Sequence, residues 1–286
     1  MNFKIPIALI IYNRPEKTER VFSVIKKIKP SQLFIIADGP KNETDKTLCD
    51  KARAVLNSID WETDIKLNIS DSNLGNANRT ISGLNWVFEQ TDKAIILEDD
   101  CVPHLSFFEF CETLLDYYNY DMEVMHISGC NLLPTPSVIL QSNYFFSKYI
   151  LPPWGWATWR RAWNKFNPEM NSWQKHKKEI HPNISQENFK TWTDTFEYLR
   201  IHKVTWDIPW NIDIWANKGL GIIPAINLIS NIGFDEQATF TKTHTEFSEL
   251  PSREMKFPLT HPQTKNPILD KEIEAACINL LKNISL

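Results

Sequence analysis

Three consecutive carboxylates, Glu98, Asp99 and Asp100, follow directly on the apolar run Ala94-Ile95-Ile96-Leu97. Adjacent carboxylates repel one another, so a fold that gathers them at the end of a buried segment must supply a counter-charge. A divalent cation is the common one, and hard Mg²⁺ or Mn²⁺ prefers oxygen ligands. The same acids would also suit a solvated turn before a helix starting near Pro103, where negative charge favours the helix N-terminus. A further acid, Asp38, ends the apolar stretch Gln32 to Ala37 and is followed by the turn signal Gly39-Pro40. The segment Pro152 to Trp163, PPWGWATWRRAW, is the least ordinary composition in the chain. Its residues Trp154, Trp156 and Trp159 suit stacking on a sugar face, with Arg160 and Arg161 placed to hold a diphosphate. They suit a core corner equally well, since large aromatics are often buried packing and Gly155 permits a tight turn.

The elements that must position these groups read as alternating strands and helices. Ile5 to Tyr12 is a first buried strand, broken at Asn13-Arg14-Pro15, and Pro15 suits the first turn of a helix carrying Val21, Val24, Ile25 and Ile28. Gln32 to Ala37 is a second strand and Thr44 to Ile59 a helix. Ile65 to Ile69 is a third strand and Ala77 to Gln90 a helix. The strand that ends in the three acids comes next. Such alternation predicts a mainly parallel sheet flanked by helices, with ligands bound outside the carboxyl ends of the strands. Neither GxGxxG nor GxxxxGK[ST] occurs, which argues against a dinucleotide-binding dehydrogenase and a P-loop enzyme. Asn73 and Arg79, in SNLGNANRT, are candidate nucleotide contacts, or simply a turn and a helix surface. Further on, helices are expected over Leu105 to Tyr118, Gln186 to His202 and Ile208 to Asn217. Short strands are expected at Val124 to Ser128, Tyr144 to Phe146 and Gly219 to Ile223. A final helix runs from about Leu269 to Lys282.

The bulk numbers narrow the class. The chain has 286 residues, 42% of them hydrophobic, enough for one large α/β domain or two small ones. A net charge of -4 argues against nucleic-acid binding. The five cysteines form no CxxC or zinc-like spacing and read as reduced thiols of a cytosolic protein. The first apolar run is too short to span a bilayer, so at most peripheral membrane contact is expected. His104, His126, His176, His181, His202 and His261 are scattered and read as ordinary.

Four stretches carry a family resemblance. They are IPIALIIYNRPEKTERVF, IIADGP, IILEDDCVPHLSFFEF, and TWDIPWNIDIW followed by GLGIIPAINLISNIGF. In this order they resemble GT-A-fold glycosyltransferases that use nucleotide-diphosphate sugars, and more narrowly a bacterial group related to the animal N-acetylglucosaminyltransferase I family. The resemblance covers about residues 1 to 245. It implies a GT-A domain over 1–245, with a nucleotide-binding half at 1–130 and an acceptor half at 131–245, followed by a C-terminal extension at 246–286. It implies Asp100 as the direct ligand of Mn²⁺ or Mg²⁺, with Glu98 and Asp99 on ribose and sugar hydroxyls. It implies Asp38 as acceptor for the N3–H of uracil, Arg14 as a nucleotide or phosphate contact and Asp207 as general base. Without the resemblance, Asp207 reads at least as well as the N-cap of the helix at Ile208 to Asn217. The donor would be a UDP-sugar and the acceptor a glycan or lipid-linked glycan, in surface-polysaccharide assembly in the cytoplasm. At least one tryptophan of the 152–163 stretch, Trp154 or Trp156 foremost, is expected on the acceptor side. One departure stands out: where relatives carry histidine in an Ala-Thr-His-Thr run, this chain has Phe240, and the next histidine is His244.

Other classes compete. A sugar-nucleotidyltransferase usually carries a Gly-rich loop with Arg and Lys after the first strand, and IIYNRPEK has no glycine. A non-catalytic carbohydrate-binding protein would need neither the acids nor the nucleotide fold. A phosphatase of the haloacid dehalogenase type would need another aspartate two residues before Asp38, where Ile36 stands.

Overall fold

The computed structural model describes residues 3–133, 141–236, 238 and 245–282. Its first half runs β1 (Ile7–Ile11), α1 (Pro15–Ile28), β2 (Gln32–Ala37), α2 (Glu43–Ala54), β3 (Asp64–Ile69), α3 (Asn76–Phe88) and β4 (Lys93–Glu98). Then come β5 (Cys101–Pro103), α4 (Ser106–Tyr117), β6 (Val124–Ser128), β7 (Tyr144–Ser147), β8 (Trp156–Trp159) and α5 (Arg160–Trp163). The remainder is α6 (Asn171–Lys175), α7 (Lys177–Ile180), α8 (Phe189–His202), α9 (Asp207–Ala216), β9 (Leu220–Pro224), β10 (Ile229–Asn231) and α10 (Asp270–Lys282).

One eight-stranded sheet runs in the order β3-β2-β1-β4-β8-β6-β9-β7. The pairs β1–β2, β2–β3, β1–β4 and β6–β9 are parallel, and β4–β8, β6–β8 and β7–β9 are antiparallel. This is the expected α/β class, a mainly parallel sheet with helices on both faces. The inner strands are apolar throughout because both faces are covered. Phe34, Ile36 and Ile96 face α3, while Leu9, Leu33 and Ile35 face α1 and its Val21, Phe22 and Ile25. Pro15 opens α1, and Lys29 closes it in the left-handed conformation, its N–H donating to the Ile25 carbonyl.

Two strand positions matter for the site. The chain adds β2 and β3 on one side of β1, then crosses to place β4 on the other. That reversal leaves a crevice beyond the carboxyl ends of β1 and β4, where ligands bind in open α/β sheets. Residues 12–14 leave β1 there, and the three acids leave β4. The two-stranded pair β5–β10 then brings Asn231 opposite Cys101, and Ile232 N–H donates to the Asp100 carbonyl at 2.9 Å.

The tryptophan-rich segment has a structural role that its composition left open. Trp156 to Trp159 form β8, wedged antiparallel between β4 and β6. Trp156 and Trp159 are buried. Trp156 stacks on His126 at 4.9 Å and on Trp206 at 5.2 Å between ring centroids. Arg160 pairs with Asp92 and donates to the Thr91 carbonyl. Arg161 donates to the Tyr118, Asn119 and Val124 carbonyls and lies over the Trp159 ring at 4.2 Å. Both arginines therefore tie loops to the sheet, the packing role of the two readings. All five cysteines are free and buried. Among the described residues, no helix is long and apolar enough to cross a membrane.

Candidate active site

Two adjoining pockets occupy the crevice, and Arg14, Asn76 and Glu98 line both. The first contains Glu98, Asp100, Asp207, Trp154, Asn231 and Gly233. The second contains Asp38, Asn73, Arg79, Asp99, Tyr12 and Lys41. Apart from Trp156, every proposed site residue therefore borders one continuous cleft. Trp156 is a correction: it is fully buried in β8, between β4 and β6, and borders neither pocket.

In the second pocket, Asp38 is 6% exposed and its carboxylate is fully engaged. The Gly39 and Leu74 N–H groups donate to Oδ1 at 2.9 Å each. Gly75 N–H and Asn73 Nδ2 donate to Oδ2 at 3.1 and 3.0 Å. A carboxylate has about four acceptor sites, so Asp38 as placed has none left for a base. As placed, Asp38 organises the turn at 72–75, and the expected contact with uracil would displace one of these donors. Gly39 is required there, since a Cβ would run into the backbone of Ser72. Gly75 has φ of 77° and precedes Asn76, the first residue of α3. Arg79 is buried and donates to Asn68 Oδ1 at 2.8 Å, while its Nε has no partner among the described residues.

The waist of the cleft is charged. Arg14 Nη2 lies 2.6 Å from Asp99 Oδ1 and Arg14 Nη1 lies 2.8 Å from Asp100 Oδ2. Its side chain is only 14% exposed. Tyr12 N–H donates to Asp99 Oδ2 at 3.2 Å, so β1 delivers two donors to the end of β4. One guanidinium thus faces three carboxylates. Burial pushes the Glu98 carboxyl up to about 8, helped by Asp100 and Asp99 and opposed by Arg14. Burial likewise raises Asp99 to about 6 against the pull of Arg14. Arg14 was expected at the nucleotide or phosphates; it borders both pockets while bound to the acids.

Across the cleft, Asp207 is the first residue of α9, and Trp206 holds the N-cap position. Asp207 Oδ1 accepts from Thr205 Oγ1 and, at 2.8 Å, from Ile208 N–H. The carboxylate therefore helps start the helix. Its Oδ2 has no donor among the described residues, and the residue faces the acids. Burial raises its pKa, with the Thr205 hydroxyl and the Ile208 and Asp207 N–H groups pulling the other way. Trp154 is half-buried, its ring edge-on to Phe234 at 5.3 Å and 89°. Gly233 approaches Asp100 so closely that a Cβ would collide with the carboxylate, and that Cβ would also lie 3.0 Å from Asn231 Oδ1.

Fit to a divalent cation can be judged from the donors. Among the described residues, no three or more His, Cys, Asp or Glu side chains form a ligand cluster. What the cleft does offer is Glu98, whose carboxylate has no hydrogen-bond partner among the described residues, and Asp100. Asp100 Oδ1 receives only the weak Cys101 thiol at 3.4 Å, and the glycine cradle of residue 233 lies beside Oδ2. Mg²⁺ and Mn²⁺ commonly bind through one or two carboxylates plus phosphate oxygens, so this donor set fits a cation completed by a diphosphate. Phe240 and His244 lie outside the described residues.

The sequence reading missed Asn76, Thr205, Asn231 and Gly233 as cleft residues. The SNIGF run and the Gly75-Asn76 helix start were the available signals.

No family model matches the chain, and no curated protein matches it. Among solved structures, 4-diphosphocytidyl-2C-methyl-D-erythritol synthase from Anaerococcus prevotii superposes with a TM-score of 0.37 at 10% identity, covering 68% of this chain and 85% of that one. Mouse xyloside xylosyltransferase 1 superposes with a TM-score of 0.35 at 8% identity, covering 75% of this chain and 81% of that one. Both superpositions are loose, and the fold described above rests on this chain's own strand order and register.

Proposed function

We propose that this chain is a GT-A-type glycosyltransferase that moves a sugar, with inversion, from a nucleotide-diphosphate donor to a glycan or lipid-linked acceptor. We take the donor to be a UDP-sugar and the setting to be surface-polysaccharide assembly in the bacterial cytoplasm. Residues 1–130 would bind the nucleotide and residues 131–245 the acceptor, with 246–286 as an extension. The observation that carries this reading is the single cleft that joins three carboxylates and a guanidinium at the end of β4 to a free carboxylate oxygen on Asp207.

The chemistry follows from the placement. The nucleoside lies in the pocket of Asn73 and Arg79, and its diphosphate at the waist. Arg14 is available there as a cationic donor, and Asn76 places the N-terminus of α3 beside the same anion. Asp100 and Glu98 would hold Mn²⁺ or Mg²⁺, which supplies charge compensation for the departing diphosphate. Asp207 takes the proton of the acceptor hydroxyl as its oxygen attacks the anomeric carbon and the bond to the diphosphate breaks. A raised pKa makes Asp207 a stronger base than an exposed carboxylate. Trp154 at the rim offers a ring face to the sugar.

The test is a panel of nucleotide sugars with Mn²⁺, scored for slow donor hydrolysis and nucleoside diphosphate release. Release of UDP from one UDP-sugar is the expected result. Pyrophosphate formed from a sugar phosphate and a nucleoside triphosphate would instead make the protein a nucleotidyltransferase. An absence of any nucleotide binding would overturn the reading.

A further inference from the structure

We propose that the acceptor is a neutral oligosaccharide whose second sugar lies in a groove between α3 and the loops before α6 and α9. Thr205 joins that groove to the cleft. This rests on the reading of the cleft as a glycosyltransferase site and names the substrate class of its acceptor side.

The groove measures about 360 Å³, within the range of small-ligand sites. One wall is α3, which contributes Asn78, Ser82 and Asn85 at helical spacing. The other wall is Pro168, Glu169 and Lys203. Ala77, Ile81 and Pro209 add apolar surface. Among the described residues that line the groove, only Thr205 also borders the pocket of Asp207, and none borders the pocket of Asp38 and Asn73.

The polar groups of the α3 wall are oriented but only partly used. Trp163 Nε1 donates to Asn85 Oδ1 at 2.8 Å. An indole N–H can only donate, so the amide has one orientation, and its Nδ2 is a donor without a partner among the described residues. Asn78 Nδ2 donates to the Leu74 carbonyl at 3.3 Å, which leaves Asn78 Oδ1 as an acceptor without a donor among the described residues. Ser82 Oγ donates to the Arg79 carbonyl at 3.2 Å and keeps acceptor capacity. These groups span two turns, about 10 Å along the helix. A pyranose suits such a wall, because its hydroxyls both donate and accept while its C–H faces pack on apolar surface. The charged groups of the opposite wall cancel: Lys203 Nζ lies 2.6 Å from Glu169 Oε2. A groove with no net charge favours a neutral ligand over a phosphate or a uronic acid.

Thr205 sets the path between the two sites. Its hydroxyl donates to Asp207 Oδ1, and the residue is 8% exposed. A terminal sugar with its reacting hydroxyl at Asp207 Oδ2 then passes over Thr205, and the next sugar of the chain meets Asn78, Ser82 and Asn85.

The experiment uses the full chain, Mn²⁺ and the nucleotide sugar that the donor panel identifies. The acceptors are octyl β-glucoside, octyl β-galactoside and octyl β-N-acetylglucosaminide, and octyl disaccharides that carry each of these as the terminal sugar. Sugar transfer and donor hydrolysis are counted in the same reaction. At least one disaccharide should be used with a kcat/KM about 10-fold or more above its terminal monosaccharide, the worth of one or two net hydrogen bonds. Ser82→Trp fills the groove from an exposed helix position, and Asn85→Ala removes the free donor. Each should lower the ratio of transfer to hydrolysis for that disaccharide, by about 10-fold in Ser82→Trp and several-fold in Asn85→Ala, and bring the disaccharide preference toward one. A ratio taken within one variant is insensitive to a partly unfolded sample. A disaccharide used no better than its terminal monosaccharide overturns the proposal, as does a preference unchanged in either variant. Donor hydrolysis without transfer to any glycoside also overturns it, while leaving the reading of the cleft in place. If no nucleotide sugar is bound or hydrolysed, the functional reading itself falls, and this inference with it.

Discussion

Replacing Arg14 by glutamine is the most revealing perturbation of the acid cluster. The guanidinium makes two ion pairs, at 2.6 Å to Asp99 and 2.8 Å to Asp100; both aspartates are buried and the Arg14 side chain is mostly so. Glutamine keeps much of the side-chain length and hydrogen-bonding capacity but removes the charge. Removing one partner of a buried pair leaves an uncompensated charge and costs roughly 3–5 kcal/mol. Specific unfolding entropies of about 2.1 cal/mol/K per residue give roughly 0.6 kcal/mol/K for a chain of this size. The melting temperature should then fall by about 5–8 °C at neutral pH. Thermal unfolding followed by circular dichroism measures this directly. Adding Mn²⁺ should recover part of the loss in the variant and have a smaller effect on wild type, because a cation at Asp100 and Glu98 supplies the missing counter-charge. A variant as stable as wild type would show that the ion pairs are worth little and that the acids are solvated. A loss that Mn²⁺ leaves untouched would count against these carboxylates as cation ligands.

Three further outcomes are expected. Asp207→Asn should lower turnover by about 10²-fold or more, the scale of general base catalysis, with UDP affinity unchanged by titration; a lower melting temperature at full activity would make Asp207 a helix-starting residue only. Trp156→Ala should cost about 3–5 kcal/mol of stability, as for other buried aromatics, whereas the half-buried Trp154→Ala should act mainly on KM; denaturant unfolding and kinetics separate the two. Burial pushes the Asp213 carboxyl up to about 6 despite the Ser172 hydroxyl and the Asn167 N–H that it accepts. Its folded pKa thus lies above the unfolded value of about 3.9, so its contribution is fully present below about pH 4 and lost as pH rises through about 6. Asp213→Asn should therefore flatten the plot of melting temperature against pH between about 4 and 6, and parallel curves for variant and wild type would refute this.

Much of the stretch from β1 to β4 was legible because its elements are long and locally encoded. The run Gln32 to Ala37 is apolar enough to be only a buried strand, and it is β2 as read. Pro15 and the spacing of Val21 and Ile25 mark α1 in the same way. The acids were visible because three carboxylates after an apolar run conflict with burial unless something compensates them. What compensates them was not visible: Arg14 reaches them only because β4 pairs with β1 across the strand-order reversal. The filling of Asp38 depends on a turn that β2 meets through β3 and the loop beyond it. Trp156 was ambiguous because a stacked core ring and a sugar platform share one composition. Only its neighbours, His126 and Trp206, decide between them. β5 and β10 are three residues long, too short for any periodicity.

The wedge of β8 between β4 and β6 has a mechanical consequence. Trp156 to Trp159 pair with β4 on one side, and Trp156 and Ala157 pair with β6 on the other. The two halves consequently share one continuous sheet and are not separate lobes hung on a linker. Clamshell closing about a hinge would require tearing that ladder. Adjustment to substrate is thereby confined to segments outside the sheet, and the amide protons of Trp156 to Thr158 should be among the slowest in the molecule to exchange with solvent, with or without nucleotide.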